Sequence, residues 1–251
     1  MIFTVAIGKG GAGKTATAAE LCALLPGRVL AIDLDRQHNL STRLGVTDVN
    51  SLPAVAADVL TGDAPLDRAA TQSPELSHVE VIAGSEDLNA VETSPEILMS
   101  LRAQLTEPDV QSRWDHVVID TPSHQGLITL AGIAAADQVV TPIACSGEAY
   151  LELARLSDFI ATKLVKPRLR PGLGIDWVVP VMYRKRGAID ADVLATLGAR
   201  YGEHLTPPVR EAAAVRAAFV AGQPVSIYAP RHGVTQDYKA AISTIVNGAL
   251  E

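Results

Sequence analysis

Short apolar, β-branched runs alternate along this chain with longer segments in which apolar residues recur at helical spacing. The predicted strands are Ile2–Ile7, Val29–Asp33, Val79–Ala83, His116–Asp120, Gln138–Pro142 and Ile175–Met182. The predicted helices are Lys14–Leu25, Leu52–Leu60, Pro95–Leu105, Leu127–Ala135, Glu148–Lys166, Asp190–Tyr201, Arg210–Ala221 and Thr235–Val246. Apolar strands that alternate with helices are typical of a parallel sheet buried between two helical layers. The pattern therefore predicts an α/β fold with a doubly wound, mostly parallel sheet and helices on both faces.

The chain has 251 residues, of which 48% are hydrophobic and 20% charged, and this composition excludes a disordered protein. We see no long linker or internal repeat, so we expect one domain over residues 1–251. The first residues lack the regions of a secretory signal. The longest apolar stretch, near residues 127–136, is shorter than the roughly 20 residues that span a bilayer. The cysteines, Cys22 and Cys145, form no C-x-x-C pair. We expect a cytoplasmic protein.

The sequence GKGGAGKT at residues 8–15 directly follows the first predicted strand and matches the phosphate-loop pattern G-x-x-x-x-G-K-[ST]. Its glycines allow backbone N–H groups to converge on phosphate oxygens, and the following helix adds positive potential at its N-terminus. In this pattern Lys14 reaches the β- and γ-phosphates, and the Thr15 hydroxyl ligates Mg²⁺. A glycine-rich turn without a ligand is the alternative, but the strand–loop–helix context favours nucleotide binding. The predicted nucleotide-binding residues are Gly8, Lys9, Gly10, Gly11, Ala12, Gly13, Lys14, Thr15 and Ala16.

Acidic residues stand at the ends of two predicted strands. Asp120 ends the strand of WDHVVID, where it can hold Mg²⁺ through the water shell of the ion. Asp33 ends the second strand, and Asp35 lies two residues beyond it. Asp35 can orient an attacking water or accept its proton, because its neighbours are too polar to be core residues. For Asp33, a strand-end cap or salt bridge and a role in catalysis or in water-mediated Mg²⁺ binding stay open.

Three motifs together resemble the ParA family of deviant Walker ATPases, within the larger group that includes MinD. The signature K-G-G-x-G-K-[ST] is matched at residues 9–15, and D-x-D-x-Q-x-N-x-[ST] at residues 33–41. The hydrophobic-D-T-P-P region corresponds to VVIDTPS at residues 117–123, where Ser123 replaces the second proline. VVPVMYRKR, VREAAAVRAAFVAGQPVSIYAP and the Asp237-Tyr238 pair are similar to the closing third of the family. Gly8 and Ala16 also depart from the residues that the family often has there.

The resemblance implies a P-loop ATPase that hydrolyses Mg-ATP to ADP and phosphate as a homodimer. Two ATP molecules are then held between the subunits, and Lys9 reaches across to the phosphates bound by the partner. The implied catalytic residues are Lys9, Lys14 and Asp35. Pairing of Lys9 with the nucleotide of its own subunit is the alternative. A MinD-like membrane helix is not expected, because the chain ends TIVNGALE without a basic residue after Lys239.

The net charge of the chain is −7, and its basic and acidic residues are distributed unequally along the sequence. Residues 1–150 contain 8 basic and 19 acidic residues, whereas residues 151–251 contain 13 basic and 9 acidic residues. A basic second half indicates a surface that faces a polyanion, and solvated helix faces are the alternative. The resemblance implies non-specific DNA binding by the ATP-bound dimer. The candidate contacts are Arg216 as first choice, then Arg184, Lys185, Arg186, Lys163, Lys166, Arg210, Arg168, Arg170 and Arg231. Arg184–Arg186 can instead flank an adenine pocket.

The function that this resemblance implies is plasmid or chromosome partition. A ParB-type adaptor would stimulate slow hydrolysis and release the ATPase from the nucleoid. The same kind of ATPase can position a cargo other than DNA, such as a microcompartment or a receptor cluster. An ATP-dependent synthetase of the dethiobiotin type and a regulator that binds ATP without hydrolysing it are the further alternatives.

Overall fold

The computed structural model describes residues 1–249. The last two residues of the predicted domain, at the end of the segment TIVNGALE, lie outside this range. The strands within residues 1–249 are β1 Ile2–Val5, β2 Val29–Asp33, β3 Thr71–Gln72, β4 Val79–Ile82, β5 His116–Asp120, β6 Gln138–Ala144 and β7 Trp177–Val181. The helices are α1 Lys14–Leu24, α2 Asn39–Arg43, α3 Ala56–Thr61, α4 Leu66–Ala69, α5 Leu88–Val91, α6 Ile97–Leu105, α7 Pro108–Arg113, α8 Leu127–Ala135, α9 Ala149–Ile160, α10 Ala188–Tyr201, α11 Ala213–Val220, α12 Val225–Tyr228 and α13 Gly233–Gly248. No helix in this part of the chain is both long and apolar enough to cross a bilayer.

The strands form one sheet in the order β3-β4-β2-β5-β1-β6-β7. Only the edge strand β3 is antiparallel to its neighbour in this sheet. Asp120 at the end of β5 pairs in register with Val5 on β1 and with Asp33 on β2. The carboxyl ends of the three adjacent strands β2, β5 and β1 therefore lie level at one end of the sheet. The predicted mostly parallel sheet with flanking helices is confirmed.

Helix α8 lies close against the centre of the sheet. The buried Thr4 hydroxyl of β1 donates a 2.7 Å hydrogen bond to the Gly132 carbonyl of α8. A Cβ atom on Gly132 would lie 2.9 Å from the Thr121 side chain, so only a glycine fits at this contact. This packing fixes the position of α8 on the sheet.

Two predicted helices begin three or four residues later than expected. The helix predicted from Leu52 begins at Ala56, because Pro53 disfavours a helical conformation at the residue before it. The Asp58 carboxylate accepts a 2.8 Å hydrogen bond from the Val55 N–H and caps this start. The helix predicted from Arg210 begins at Ala213, because residues 209–211 hydrogen-bond alongside β7 and its extension.

Other differences concern short elements and helix ends. The sequence pattern did not predict α2, α4, α5, α7, α12 and β3, each of which has six residues or fewer. Such elements are too short to show a reliable hydrophobic period. The helix predicted over residues 148–166 is α9 followed by a π-helical turn over Ala161–Val165.

The segment after β2 is held at the end of β4 by a close backbone contact. The Gly84 N–H donates a 3.3 Å hydrogen bond to the Ser41 hydroxyl. A Cβ atom on Gly84 would overlap the backbone oxygen of Asp35 and would lie 3.1 Å from that of Asp33. Glycine is therefore required at residue 84 by space, and this contact brings residues 33–41 against the sheet.

We expect Gly84→Ala to lower the free energy of unfolding by about 1–3 kcal/mol, because the added methyl group displaces the Asp35 backbone. The measurement is urea unfolding followed by circular dichroism. Gly174→Ala is the matched control, since a Cβ atom there meets nothing within 4 Å. Equal unfolding midpoints for the two variants would contradict the close packing at Gly84.

Candidate nucleotide-binding site

The phosphate loop joins β1 to α1 at the end of the sheet where the carboxyl ends of β2, β5 and β1 lie level. Gly11 and Gly13 have φ angles of 74° and 84°, which are left-handed values that other residues rarely adopt. Gly13 caps α1, and its carbonyl accepts the first helical hydrogen bond from the Thr17 N–H at 2.9 Å. A Cβ atom on Gly10 or Gly11 would meet nothing within 4 Å, so protein atoms do not cover the loop there. The loop thus presents backbone N–H groups and a helix N-terminus to a free space.

Lys14 lies inside this loop and is only 5% exposed. Its ammonium group donates hydrogen bonds to the Lys9 carbonyl at 3.2 Å and to the Ser123 hydroxyl at 3.0 Å. Burial lowers the pKa of Lys14, and the nearby Asp120 and Asp35 carboxylates oppose this shift. A cation held at this position is suited to bind phosphate oxygens.

Asp120 is fully buried at the end of β5. Neither of its carboxylate oxygens has a hydrogen-bond partner of normal geometry within the described residues. Burial and the neighbouring Asp33 carboxylate raise the pKa of Asp120 well above its usual range, and the nearby Thr15 hydroxyl and Lys14 ammonium oppose the shift. A buried carboxyl group without partners fits a cation or its water ligands, because such a group costs free energy when left unsatisfied.

Asp33 is buried beside Asp120, but its carboxylate is fully engaged by the following segment. It accepts hydrogen bonds from the Asp35 N–H at 3.1 Å, the Ser41 N–H at 2.9 Å and the Ser41 hydroxyl at 2.8 Å. Burial raises its pKa to about 6, against the effect of these hydrogen bonds. Asp33 therefore fixes the bend that presents the partly exposed Asp35 side chain, which itself accepts a 3.0 Å hydrogen bond from the Gln37 N–H.

Lys9 points away from the interior of the loop and is half exposed. Its ammonium group forms ion pairs with Glu148 at 2.6 Å and Glu152 at 2.9 Å, at the start of α9. The hydrogen bonds that Lys9 donates to these two carboxylates raise its pKa above the ordinary value. The two lysines of the phosphate loop therefore occupy different environments, with Lys14 inside the loop and Lys9 on its outer side.

The loop between β5 and α8 covers one side of the phosphate loop. The Thr121 hydroxyl at its start donates a 2.8 Å hydrogen bond to the Val5 carbonyl. At its end, Glu92 accepts a 2.8 Å hydrogen bond from the Leu127 N–H and lies 3.3 Å from the His124 Nε2 atom. Both ends of this loop are thus attached to neighbouring elements, and Ser123 is held between them.

A narrow, mostly apolar cavity of about 90 Å³ lies beside Gly13 and Ala16. Val181 and Met182 at the end of β7 form one wall, and residues 209–216 with Tyr238 form the other. Its position next to the phosphate loop suits an apolar ring such as a nucleotide base.

The basic candidates fall into two groups. Arg184 forms a 2.9 Å ion pair with the buried Asp190, and Arg210 forms one with Asp237. Arg170 donates hydrogen bonds to the backbone carbonyls of Ala134 and Ala136. The remaining candidates are exposed and have no ion pair within residues 1–249, and they are Arg216, Lys185, Arg186, Lys163, Lys166, Arg168 and Arg231.

The site also contains residues that the sequence motifs did not identify as functional. Glu148 and Glu152 bind Lys9 across more than 130 residues of sequence, and Glu92 holds the loop before α8. Gly84 belongs to no phosphate-loop motif, and its contact with Asp35 depends on the pairing of β2 with β4. A sequence pattern contains no signal for these contacts, because each joins separate elements.

Comparisons with known proteins agree with this geometry. A family model described as an AAA domain matches residues 1–175. The chromosome partitioning protein ParA of Caulobacter vibrioides is 33% identical over 210 residues, which cover 80% of this chain and 77% of ParA.

Solved structures show the same fold over nearly the whole chain. Apo McdA of Cyanothece superposes with a TM-score of 0.84 at 23% identity and covers 97% of this chain and 98% of its own. Cobyrinic acid a,c-diamide synthase of Mycobacterium smegmatis superposes with a TM-score of 0.80 at 25% identity over 98% and 93% of the two chains. One structure of that synthase contains ADP and magnesium. With its phosphate loop, parallel sheet and ParA relatives, the chain belongs to the ParA/MinD superfamily of P-loop ATPases.

Proposed function

We propose that this protein is a partition-type ATPase that closes into a homodimer when it binds Mg-ATP and opens when ATP is hydrolysed to ADP and phosphate. The observation that carries the proposal is the different placement of two lysines in one phosphate loop. Lys14 is buried inside the loop, and Lys9 lies on the outer side against α9. Lys14 can serve the nucleotide of its own subunit, which leaves Lys9 to serve a second nucleotide from outside.

The phosphates would be held by Lys14 and by the backbone N–H groups of residues 10–16. The Thr15 hydroxyl would ligate Mg²⁺, and Asp120 would hold the ion through its water ligands. The Asp120 oxygens accept no hydrogen bond of normal geometry from residues 1–249, which supports this assignment. Mg²⁺, when bound, neutralises negative charge on the phosphates during hydrolysis. The base would enter the apolar cavity beside Ala16.

Asp35 is the proposed water-positioning residue. Its side chain is partly exposed beyond the carboxyl end of β2, and its charge is close enough to affect the pKa of Lys14. Asp33 would act through Asp35, because its carboxylate oxygens already accept three hydrogen bonds from residues 35–41. We therefore favour a positioning role for Asp33 over water-mediated Mg²⁺ binding.

Dimerisation would require Lys9 to exchange its carboxylate partners for phosphates. Two bound nucleotides repel each other across a two-fold interface, and a lysine from each subunit offsets that repulsion. Glu148 and Glu152 compete for the same ammonium group in the single chain. ATP would favour the exchange more than ADP because its γ-phosphate adds negative charge, and dimerisation then depends on the nucleotide.

The ATP-bound dimer would bind DNA without sequence preference and would associate with the nucleoid. Arg216 is the first-choice contact, because it is exposed on α11 and has no ion pair within the described residues. Arg184 and Arg210 are weaker candidates, since DNA would have to compete with Asp190 and Asp237 for them. A ParB-type adaptor would stimulate hydrolysis in plasmid or chromosome segregation, as the similarity to ParA supports.

A synthetase is the second candidate function. The similarity to cobyrinic acid a,c-diamide synthase favours it, because that likeness covers 98% of this chain. A synthetase would consume ATP only together with formation of a condensed product. ATP hydrolysis that DNA and an adaptor stimulate, in the absence of any organic substrate, would exclude this second function. A non-DNA cargo would instead be identified by the adaptor that stimulates hydrolysis.

We expect Lys9→Ala to bind ATP but to lose ATP-dependent dimerisation, because no lysine from the partner subunit then offsets the repulsion between the two nucleotides. The measurement is light scattering after size-exclusion chromatography with Mg²⁺ and a non-hydrolysable ATP analogue. Lys185→Ala, which removes an exposed lysine on a different loop, is the matched control. ATP-dependent dimers of Lys9→Ala in the same proportion as the parent would contradict the role of Lys9.

We expect Asp35→Ala to keep ATP-dependent dimers and to lower the hydrolysis rate by at least about 100-fold, since general-base catalysis contributes about that much. Phosphate release with a saturating ATP concentration measures the rate. Asp48→Ala, at an exposed position outside the site, is the control. A hydrolysis rate within a factor of two of the parent would exclude Asp35 from the mechanism.

We expect Arg216→Glu to weaken ATP-dependent DNA binding by at least about tenfold and to reduce its dependence on salt, because a phosphate contact is lost. Fluorescence anisotropy with a random-sequence duplex, over a series of salt concentrations, provides the measurement. Arg68→Glu makes the same charge change at an exposed position on α4 and serves as the control. Equal DNA affinity with ADP and ATP would contradict the nucleotide-dependent part of the proposal.

A further inference from the structure

Ser123 places a hydroxyl group where the ParA-type pattern has a second proline. Its Oγ atom lies 3.0 Å from the Lys14 ammonium group and accepts a hydrogen bond from it. Proline offers neither a side-chain hydroxyl nor a backbone N–H, whereas serine offers both as donors. This chain therefore has two hydrogen-bond donors at residue 123 that the family pattern lacks, and the hydroxyl lies within reach of the phosphate-binding lysine.

The surrounding loop holds Ser123 in place before any ligand binds. The Thr121 hydroxyl ties the start of the loop to β1, and Glu92 ties its end to α5 through the Leu127 N–H. The Gln125 side chain lies against Gly8, because a Cβ atom on Gly8 would be 3.3 Å from its amide nitrogen. Donors that are positioned beforehand lose little conformational entropy when a ligand arrives.

Ser123 also lies where two clefts meet, and the second of them includes Gly8 and Lys9 of the phosphate loop. One cleft of about 380 Å³ contains Asp35, and the other, of about 550 Å³, contains Lys9. Ser123 is part of the wall of both clefts. A terminal phosphate held by Lys14 would thus lie beside Ser123, with the water-positioning residue on one side and the dimerisation lysine on the other.

We propose that Ser123 contacts the γ-phosphate and makes the site discriminate between ATP and ADP. When ATP binds, Lys14 turns to the phosphates, and the Ser123 hydroxyl donates a hydrogen bond to a γ-phosphate oxygen. ADP lacks that oxygen, so the contact stabilises only the ATP complex. The inference rests on the proposed function for the identity of the nucleotide and goes beyond it by assigning a residue that recognises the terminal phosphate.

Ser123→Ala tests the inference by titration calorimetry with Mg²⁺ and either ADP or a non-hydrolysable ATP analogue. We expect affinity for the analogue to fall by about tenfold and affinity for ADP to change by less than twofold, because hydrogen bonds to charged groups contribute about that much. Ser123→Thr keeps the hydroxyl and should restore the preference for the analogue. Ser112→Ala, which removes an exposed hydroxyl on α7, is the matched control.

Two results would overturn the role of Ser123. Equal losses for ADP and the analogue would show that the hydroxyl only shapes the loop, and unchanged affinities for both would show that it only accepts a hydrogen bond from Lys14. The titration needs neither hydrolysis nor DNA, so it remains valid if the partition function fails. A parent chain that binds neither nucleotide would instead contradict the proposed function itself, and the inference with it.

Discussion

The end of the sheet buries two carboxyl groups side by side, and the electrostatic cost of that burial governs the site. Asp33 and Asp120 pair in register on adjacent strands, and both are inaccessible to solvent. Asp33 is satisfied by the chain itself, through hydrogen bonds from Asp35 and Ser41. Asp120 accepts no hydrogen bond of normal geometry from the described residues, and only the nearby Thr15 hydroxyl and Lys14 ammonium favour its charge. Asp33 thus serves structure, and under the proposed function a cation or its bound water would stabilise the charge of Asp120.

The same electrostatics separate the two lysines. Burial works against the charge of Lys14, whereas Glu148 and Glu152 strengthen the charge of Lys9. A phosphate that reaches Lys14 relieves a desolvation penalty, and a phosphate that reaches Lys9 must displace carboxylates. Under the proposed function, nucleotide binding within one subunit would therefore precede any contact across the interface, because of the different environments of the two lysines.

The sequence pattern was sufficient for the parts of the molecule that depend on local order. The pattern predicts the buried strands, the phosphate loop, Asp35 and Asp120, because each follows a hydrophobic period or a motif of fixed spacing. The pattern could not show the Lys9 ion pairs or the contact of Gly84 with Asp35, since these join elements that are distant in sequence. It also missed the start of α11, because residues 209–211 are fixed by β7 and not by their own helical preference.

The strand order has a consequence for how the protein is made. β1 and β2 are not neighbours, because β5 lies between them and supplies hydrogen bonds to both. The phosphate loop and Asp35 are synthesised early, yet they have no common scaffold until β5 follows many residues later. Such long-range pairing delays folding, since a long loop must close before the contacts form. A nascent chain that has not yet emerged as far as Asp120 therefore lacks the strand that joins these two segments, and under the proposed function nucleotide binding would mark the completion of the centre of the sheet.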